Sequence, residues 1–138
     1  MTVVDMHVHT NVGSPDSDLT PGQLIEEAKR RGLDAVCITE HGPPWRKEEV
    51  ERLTREHGIL LIRGMEVQTD LGHIIVFGLP GYTSGILRAA GLRCATDEVG
   101  DCLSLIIPIR TNFDLKKGKM NIEQAVTLPV LVPMRCPA

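Results

Sequence analysis

The chain has 138 residues, of which 42% are hydrophobic and 24% charged, the composition of one globular domain with a real core. Lys and Arg number 15 against 18 Asp and Glu, so the net charge of −3 does not indicate a nucleic-acid partner. The longest apolar stretches, Cys102–Ile109 and Val126–Pro133, are too short to span a membrane. The N-terminus lacks the pattern of a signal peptide, and we expect a cytoplasmic protein with no membrane partner.

The hydrophobic pattern predicts strands that alternate with helices. The predicted strands are Thr2–Val8, Ala35–Thr39, Ile59–Val67, Gly72–Leu79 and Cys102–Ile109. The predicted helices are one that opens at Thr20, then Arg46–His57, Ser84–Ala90 and Asn121–Val126. Strands that alternate with helices and read as continuous apolar runs are typical of a parallel α/β layer or barrel.

The first helix has a clear start signal. Pro21 suits the first helical position, and Gln23 lies three residues after Thr20, the spacing of a capping box. Gly32 suits the end of the same helix.

Four of the five histidines lie at the ends of predicted strands. His7 and His9 end the first strand, and their spacing of two puts both imidazoles on one side, where they could share a metal ion or form a structural pair. His41 follows the second strand, Glu66 ends the third, and His73 opens the fourth. If the strands lie parallel, these groups converge at the edge where active sites of α/β folds lie. The fifth histidine, at position 57, ends a helix and suits the helix dipole.

Several ordered segments together resemble the motifs of the PHP (polymerase and histidinol phosphatase) family. They are Asp5–Thr10, Leu19–Pro21, Gly32–His41, Gly64–Val67 and Gly72–Leu79. Glu40 stands where that family more usually has Asp. The resemblance covers Thr2 to about Pro80.

The resemblance implies an α/β fold, a distorted (βα)7 TIM-like barrel that holds two or three divalent metal ions (Zn²⁺, Mn²⁺ or Fe²⁺). It implies that one ion is bound by His7 and His9, that Glu66 bridges this ion to a second held by His73, and that His41 binds a third. Asp16 is the best match for a further ligand of the third ion. A loop aspartate that forms a turn beside Pro15 is the alternative for Asp16.

Such a site suits the hydrolysis of phosphate esters on a small phosphorylated substrate. Two cations lower the pKa of a bridging water, so that a metal-activated hydroxide exists near neutral pH. Imidazole and carboxylate ligands are accepted by both zinc and manganese. Glu66 is the candidate catalytic residue as bridging ligand. Arg110 could contact a substrate phosphate, or be a solvated surface arginine.

The second half of the chain departs from the family pattern. Ile107 stands where the family has a histidine, and no histidine follows His73. A complete barrel needs roughly 200 residues or more. We therefore expect residues 1–80 to be the N-terminal part of a PHP-like metal-binding domain, and residues 81–138 its divergent or truncated remainder. An unclosed barrel leaves a strand edge that Leu128–Val132 or a second subunit could cover.

Three hypotheses follow from these patterns. The first is a metal-dependent phosphoesterase of the PHP kind. The second is a non-catalytic or truncated PHP-like metal-binding protein that has lost its C-terminal ligands. The third is an amidohydrolase-like metal hydrolase, because that class also begins with a strand that bears His-x-His.

Overall fold

The computed structural model describes residues 2–100 and 103–107, and side chains within the first of these ranges. The described residues form five strands and three helices. In chain order these are β1 (Val4–Val8), α1 (Pro21–Arg30), β2 (Ala35–Glu40), α2 (Lys47–His57), β3 (Leu60–Thr69), β4 (Gly72–Phe77), α3 (Ala89–Val99) and β5 (Leu103–Ile107). The predictions for Arg110, Asn121–Val126 and Leu128–Val132 lie outside the described residues.

The five strands form one sheet in the order β1-β2-β3-β4-β5. The strands β1, β2 and β3 are parallel, as expected, whereas β4 is antiparallel to both β3 and β5. The antiparallel β4 is a departure from the parallel α/β layer or barrel that the strand and helix pattern predicts. Only Asp70 and Leu71 separate β3 from β4, and a connection this short can form only a hairpin, because a parallel crossover needs a dozen residues or more.

The capping box of α1 is confirmed. The Thr20 hydroxyl accepts the Gln23 N–H at 3.3 Å, and the Gln23 side chain accepts the Thr20 N–H at 3.0 Å. Pro21 is the first helical residue. The helix α2 lies where it was predicted and ends at Gly58, whose φ of 67° is the left-handed conformation that favours glycine.

The three helices pack against one face of the sheet. Val36 and Ile38 of β2 contact the buried side chains of α1 and Val50 of α2. Met65 of β3 belongs to a second cluster that includes α3. The opposite face of β2 is also covered, so every residue of this strand is buried, as is typical of an inner strand of a parallel sheet.

The face of the sheet opposite the helices carries a smaller apolar cluster. Its buried members are Cys37, Ile75 and Phe77, with Val4 and Ile62 packed against them. This face is called the inner face below, because the curled sheet with helices on its other side is compatible with part of a TIM-like barrel.

The helix predicted over Ser84–Ala90 is wrong, because α3 begins only at Ala89. Gly85 has a φ of 86°, which is incompatible with a right-handed helix, and residues 84–87 form a turn. The start of α3 is fixed by Asp70, whose carboxylate accepts the Ala89 N–H at 2.8 Å. A cap that comes from 19 residues upstream leaves no local sequence signal.

Among the described residues, none of the helices combines the length and apolarity that crossing a membrane would require.

The capping box of α1 provides a test of this fold. Thr20→Ala removes the hydroxyl that accepts the Gln23 N–H, and we expect it to lower the free energy of unfolding by about 1 kcal/mol. Thr20→Ser keeps the hydroxyl and should stay close to wild type. Urea unfolding followed by circular dichroism measures both, and equal stability of the two variants would contradict the cap.

Candidate metal centre

A β-bulge in β1 turns two histidines toward the inner face. The residues paired across β1 and β2 are Val4 with Ala35, Asp5 with Val36, and Val8 with Ile38. Met6 and His7 therefore lie opposite Cys37 alone, one residue more than a regular ladder allows. Val4 accordingly packs with the inner cluster and Val8 with the helix-side cluster, although an even spacing would put both on one face. The extra residue puts His7 and His9 on the same face as Glu66.

The hairpin of β3 and β4 brings the next two groups together. Gln68 pairs with His73 and Glu66 with Ile75, so Glu66 and His73 lie on adjacent strands two positions apart. The His73 Nδ1 atom lies 2.5 Å from Glu66 Oε1. Because β4 runs antiparallel, the residue that opens it lies beside the end of β3. In a parallel β4, His73 would lie at the opposite end of the strands, far from Glu66.

Three ligand atoms converge on one point. His7 Nε2 lies 2.8 Å from His9 Nε2 and 3.0 Å from Glu66 Oε2, and His9 Nε2 lies 2.9 Å from the same oxygen. Each of these atoms can present a lone pair, so their close approach is favourable only where protons or a cation lie between them.

All six residues that the sequence suggests as metal ligands lie in one connected cluster. They form three groups whose ligand atoms lie within 4.8 Å of one another: His7, His9 and Glu66; His9, Asp16 and His41; and His41, Glu66 and His73. His9, His41 and Glu66 each belong to two groups. His41 reaches Asp16 Oδ2 through Nε2 at 3.2 Å and Glu66 Oε2 through Nδ1 at 3.8 Å.

The electrostatics favour the protonation states that metal binding needs. Burial opposes ionisation of Glu66, which is 4% exposed, but hydrogen bonds from His7 and His73 outweigh it and lower the pKa of Glu66 to about 2. Burial and the neighbouring His7 lower the pKa of His9. Near pH 7 the centre therefore holds an ionised carboxylate beside a neutral imidazole, and both can bind a metal without first losing a proton.

The donor set fits a divalent transition metal. Imidazole nitrogens with carboxylate oxygens are the ligands that Zn²⁺ and Mn²⁺ accept. Each group offers three protein ligands, which leaves room in a coordination sphere for water or substrate. His7, Asp16 and His41 are not buried, so the cluster is accessible to solvent.

Sequence reasoning missed a layer of polar residues behind the histidines. Glu40 is fully buried and accepts hydrogen bonds from Thr10, Ser14 and Trp45. An acidic residue at the end of an apolar strand was visible in the sequence, but its partners lie 5 to 30 residues away.

Tyr82 is a second residue that sequence reasoning missed. Its hydroxyl donates to the His41 carbonyl at 2.6 Å, which ties the segment after β4 to the end of β2. Burial, and then the negative charge of Glu66, raise the pKa of Tyr82. Tyr82 therefore lies within electrostatic reach of the cluster.

The described backbone also places residue 107. Ile107 of β5 pairs with His73 of β4, so it lies at the end of the sheet where the histidine cluster lies. A histidine at this position would have been adjacent to the cluster. Arg110 lies outside the described residues.

The pKa of Glu66 predicts a pH dependence of stability in metal-free protein. A folded-state pKa of about 2, below the ordinary value of 4.5, means that the stabilisation is fully present above pH 4.5 and is lost as the pH falls toward 2. We expect Glu66→Gln to remove this dependence and to lose on the order of 3 kcal/mol at pH 6. Urea unfolding with a chelator at pH 6 and pH 3 measures it.

The exposed Glu26→Gln, on α1, is the matched control and should keep the dependence of wild type. An equal loss of stability between pH 6 and pH 3 in wild type and in Glu66→Gln would contradict the assignment.

Comparisons with known proteins identify several that are similar to this chain in sequence. The chain is 31% identical over 80 residues to the uncharacterized protein MJ1587 of Methanocaldococcus jannaschii, which covers 51% of this chain and 47% of that protein. It is 32% identical over 63 residues to the PolC-type DNA polymerase III of Bacillus subtilis, and the match covers 46% of this chain and 4% of that protein. It is 28% identical over 65 residues to ribonuclease P protein component 3 of Natronomonas pharaonis, and the match covers 47% of this chain and 25% of that protein.

The chain thus spans less than half the length of each of these relatives. The family model of the PHP domain matches residues 5–99, which includes every residue of the histidine cluster. This match favours the PHP interpretation over the amidohydrolase-like one. With the motifs, the fold and the cluster in agreement, the chain belongs to the PHP domain family.

Proposed function

We propose that this protein is a divalent-metal-dependent phosphoesterase that hydrolyses a small phosphorylated substrate. The observation that carries the proposal is the sharing of ligands: three groups of potential ligands are joined through His9, His41 and Glu66. A structural histidine pair would not need further imidazoles around one buried carboxylate.

The residues of the cluster would hold the metal ions as the sequence suggests. His7 and His9 would bind one ion, Glu66 would bridge it to a second held by His73, and His41 with Asp16 would bind a third. Zn²⁺, Mn²⁺ and Fe²⁺ are the candidate ions. When bound, the ions would supply a hydroxide near neutral pH and would neutralise the phosphoryl oxygens of the substrate.

The residues of the cluster supply a negative charge for the metal ions and leave the cluster accessible to a substrate. Glu66 is buried, and the hydrogen bonds from His7 and His73 keep it ionised despite that burial. Asp16 and His7 are exposed and His41 is half-buried, so the cluster is open to a substrate from solvent. We include Arg110 in the proposal as a contact for the substrate phosphate.

We further propose that the described part of the chain belongs to a (βα)7 barrel of the PHP type, with residues 1–80 as its metal-binding part and residues 81–138 as a divergent remainder. The three helices on one face of the curled sheet support this proposal. A second subunit could cover the open edge of such a barrel.

Two of the relatives are named as a DNA polymerase and as a ribonuclease P component, which raises nucleic acid as a substrate. The net charge of −3 does not favour a polyanionic partner, and the proposal therefore keeps a small phosphorylated substrate, met in the cytoplasm.

A non-catalytic metal-binding protein is the second candidate. The observation that favours it is Ile107, whose backbone lies beside His73 where a histidine ligand would have been at hand. This candidate predicts metal uptake without turnover, so the same experiment decides between the two functions.

The test compares wild type with His9→Ala, which removes a residue shared by two ligand groups. We expect purified wild type to bind Mn²⁺ or Zn²⁺ in elemental analysis and to release phosphate from an aryl phosphate when either metal is added. His9→Ala should lose at least 10-fold in metal affinity and in phosphate release, because even residues behind the ligands typically contribute 10–100-fold.

His57→Ala is the matched control, because His57 lies in the last turn of α2 and is absent from every ligand group. It should bind metal and release phosphate like wild type. Metal uptake without phosphate release above the His9→Ala level would support the non-catalytic candidate. Equal metal content in wild type and His9→Ala would overturn the metal centre itself.

A further inference from the structure

Glu40 accepts as many hydrogen bonds as a carboxylate can. One oxygen accepts the Trp45 indole N–H at 2.9 Å and the Thr10 hydroxyl, and the other accepts the Thr10 backbone N–H at 3.1 Å and the Ser14 hydroxyl at 2.5 Å. The side chain is fully buried. Two of the four donors are N–H groups that cannot reverse their direction, and the Thr10 and Ser14 hydroxyls donate to the same carboxylate.

The Ser14 hydroxyl has three partners and a single proton. It donates that proton to Glu40 and accepts the His41 backbone N–H at 3.0 Å. Its third partner is His9 Nδ1, also at 3.0 Å. Because the Ser14 proton is already used, this contact can form only if His9 Nδ1 carries a proton and donates it.

The tautomer of His9 follows from this chain of hydrogen bonds. A neutral imidazole has one proton, so a proton on Nδ1 leaves Nε2 with a free lone pair. That atom lies 2.8 Å from His7 Nε2 and 2.9 Å from Glu66 Oε2, at the point where the ligand atoms converge.

We propose that Glu40 is a positioning residue: through Ser14, its carboxylate fixes His9 in the tautomer whose Nε2 can bind a metal, and it also holds the backbone of His41. This inference rests on the metal centre of the proposed function. Glu40 itself is in none of the groups of potential ligands.

Gly13 makes room for the glutamate. A Cβ atom at position 13 would lie 2.7 Å from Glu40 Cγ and 2.8 Å from Glu40 Cβ, closer than real contacts allow. Glutamate has one methylene more than the aspartate that usually stands at this position of the motif. The missing side chain at position 13 accommodates the stem of Glu40, which lets its carboxylate reach Thr10 and Ser14 together.

The matched pair Ser14→Ala and Ser17→Ala tests the inference. Both serines lie in the loop after β1 and both bond to His9, but Ser14 contacts the ring and Ser17 donates to the backbone carbonyl at 3.0 Å. Long-range ¹H–¹⁵N correlation spectra of metal-free protein at pH 8 report which ring nitrogen carries the proton. We expect the Nδ1–H tautomer in wild type and Ser17→Ala, and the Nε2–H tautomer, facing Glu66, in Ser14→Ala.

Glu40 is tested directly by E40Q and E40D. An amide in place of either oxygen faces an N–H that can only donate, so E40Q leaves a buried donor unpaired and is expected to lower stability. E40D keeps a carboxylate but is shorter by one methylene, so it should lose the Ser14 contact and allow the Nε2–H tautomer in a folded protein. If E40Q does not fold, Ser14→Ala and E40D still decide the inference.

Zn²⁺ affinity, measured by competition with a chelator, gives a second readout. Ser14→Ala should weaken Zn²⁺ binding by about 10–100-fold, whereas Ser17→Ala should leave it unchanged. The Nε2–H tautomer in metal-free wild type, or unchanged Zn²⁺ affinity in Ser14→Ala, would overturn the inference. A wild type that keeps the Nδ1–H tautomer but binds no metal would contradict the proposed function and leave the control of the tautomer standing.

Discussion

The candidate metal centre depends on the buried negative charge of Glu66. Glu66 is almost completely removed from solvent, and a carboxylate in that position is costly unless it is paired and hydrogen-bonded. The imidazoles of His7 and His73 bond to its two oxygens. His9 Nε2 lies 2.9 Å from Oε2, and His41 Nδ1 lies 3.8 Å from the same oxygen. A pKa of about 2 means that these partners more than offset the cost of burial. Partly exposed imidazoles around a buried carboxylate form a site that offers a divalent cation both a neutralising negative charge and nitrogen ligands.

Two irregular features of the backbone make this convergence possible. The bulge in β1 carries His7 and His9 from the helix-facing side of the sheet to the inner face. The tight hairpin after β3 reverses the chain, so the first residues of β4 lie beside the last residues of β3. A regular, fully parallel sheet with the same sequence would divide these side chains between two faces and two edges. Local departures from ideal geometry therefore build the centre, as β-bulges near active sites often do.

Features that depend on neighbouring residues could be predicted from the sequence. The capping box at Thr20 and the grouping of His7 with His9 involve residues two or three positions apart, and this spacing is visible in the sequence. The start of α3 could not be predicted, because its cap is Asp70, 19 residues upstream. The contacts of Glu40 were hidden for the same reason: one end of a predicted strand gives no information about which loop folds over it.

All the potential metal ligands in the three groups lie in one part of the chain. Every potential ligand in the three groups comes from the first 73 residues, and the tautomer of His9 is fixed by Ser14 and Glu40 within the same part. Residue 107, in contrast, lies beside His73 as isoleucine, which cannot bind a metal. The two proposed functions therefore share the metal centre and differ in whether the chain around residue 107 still supports turnover.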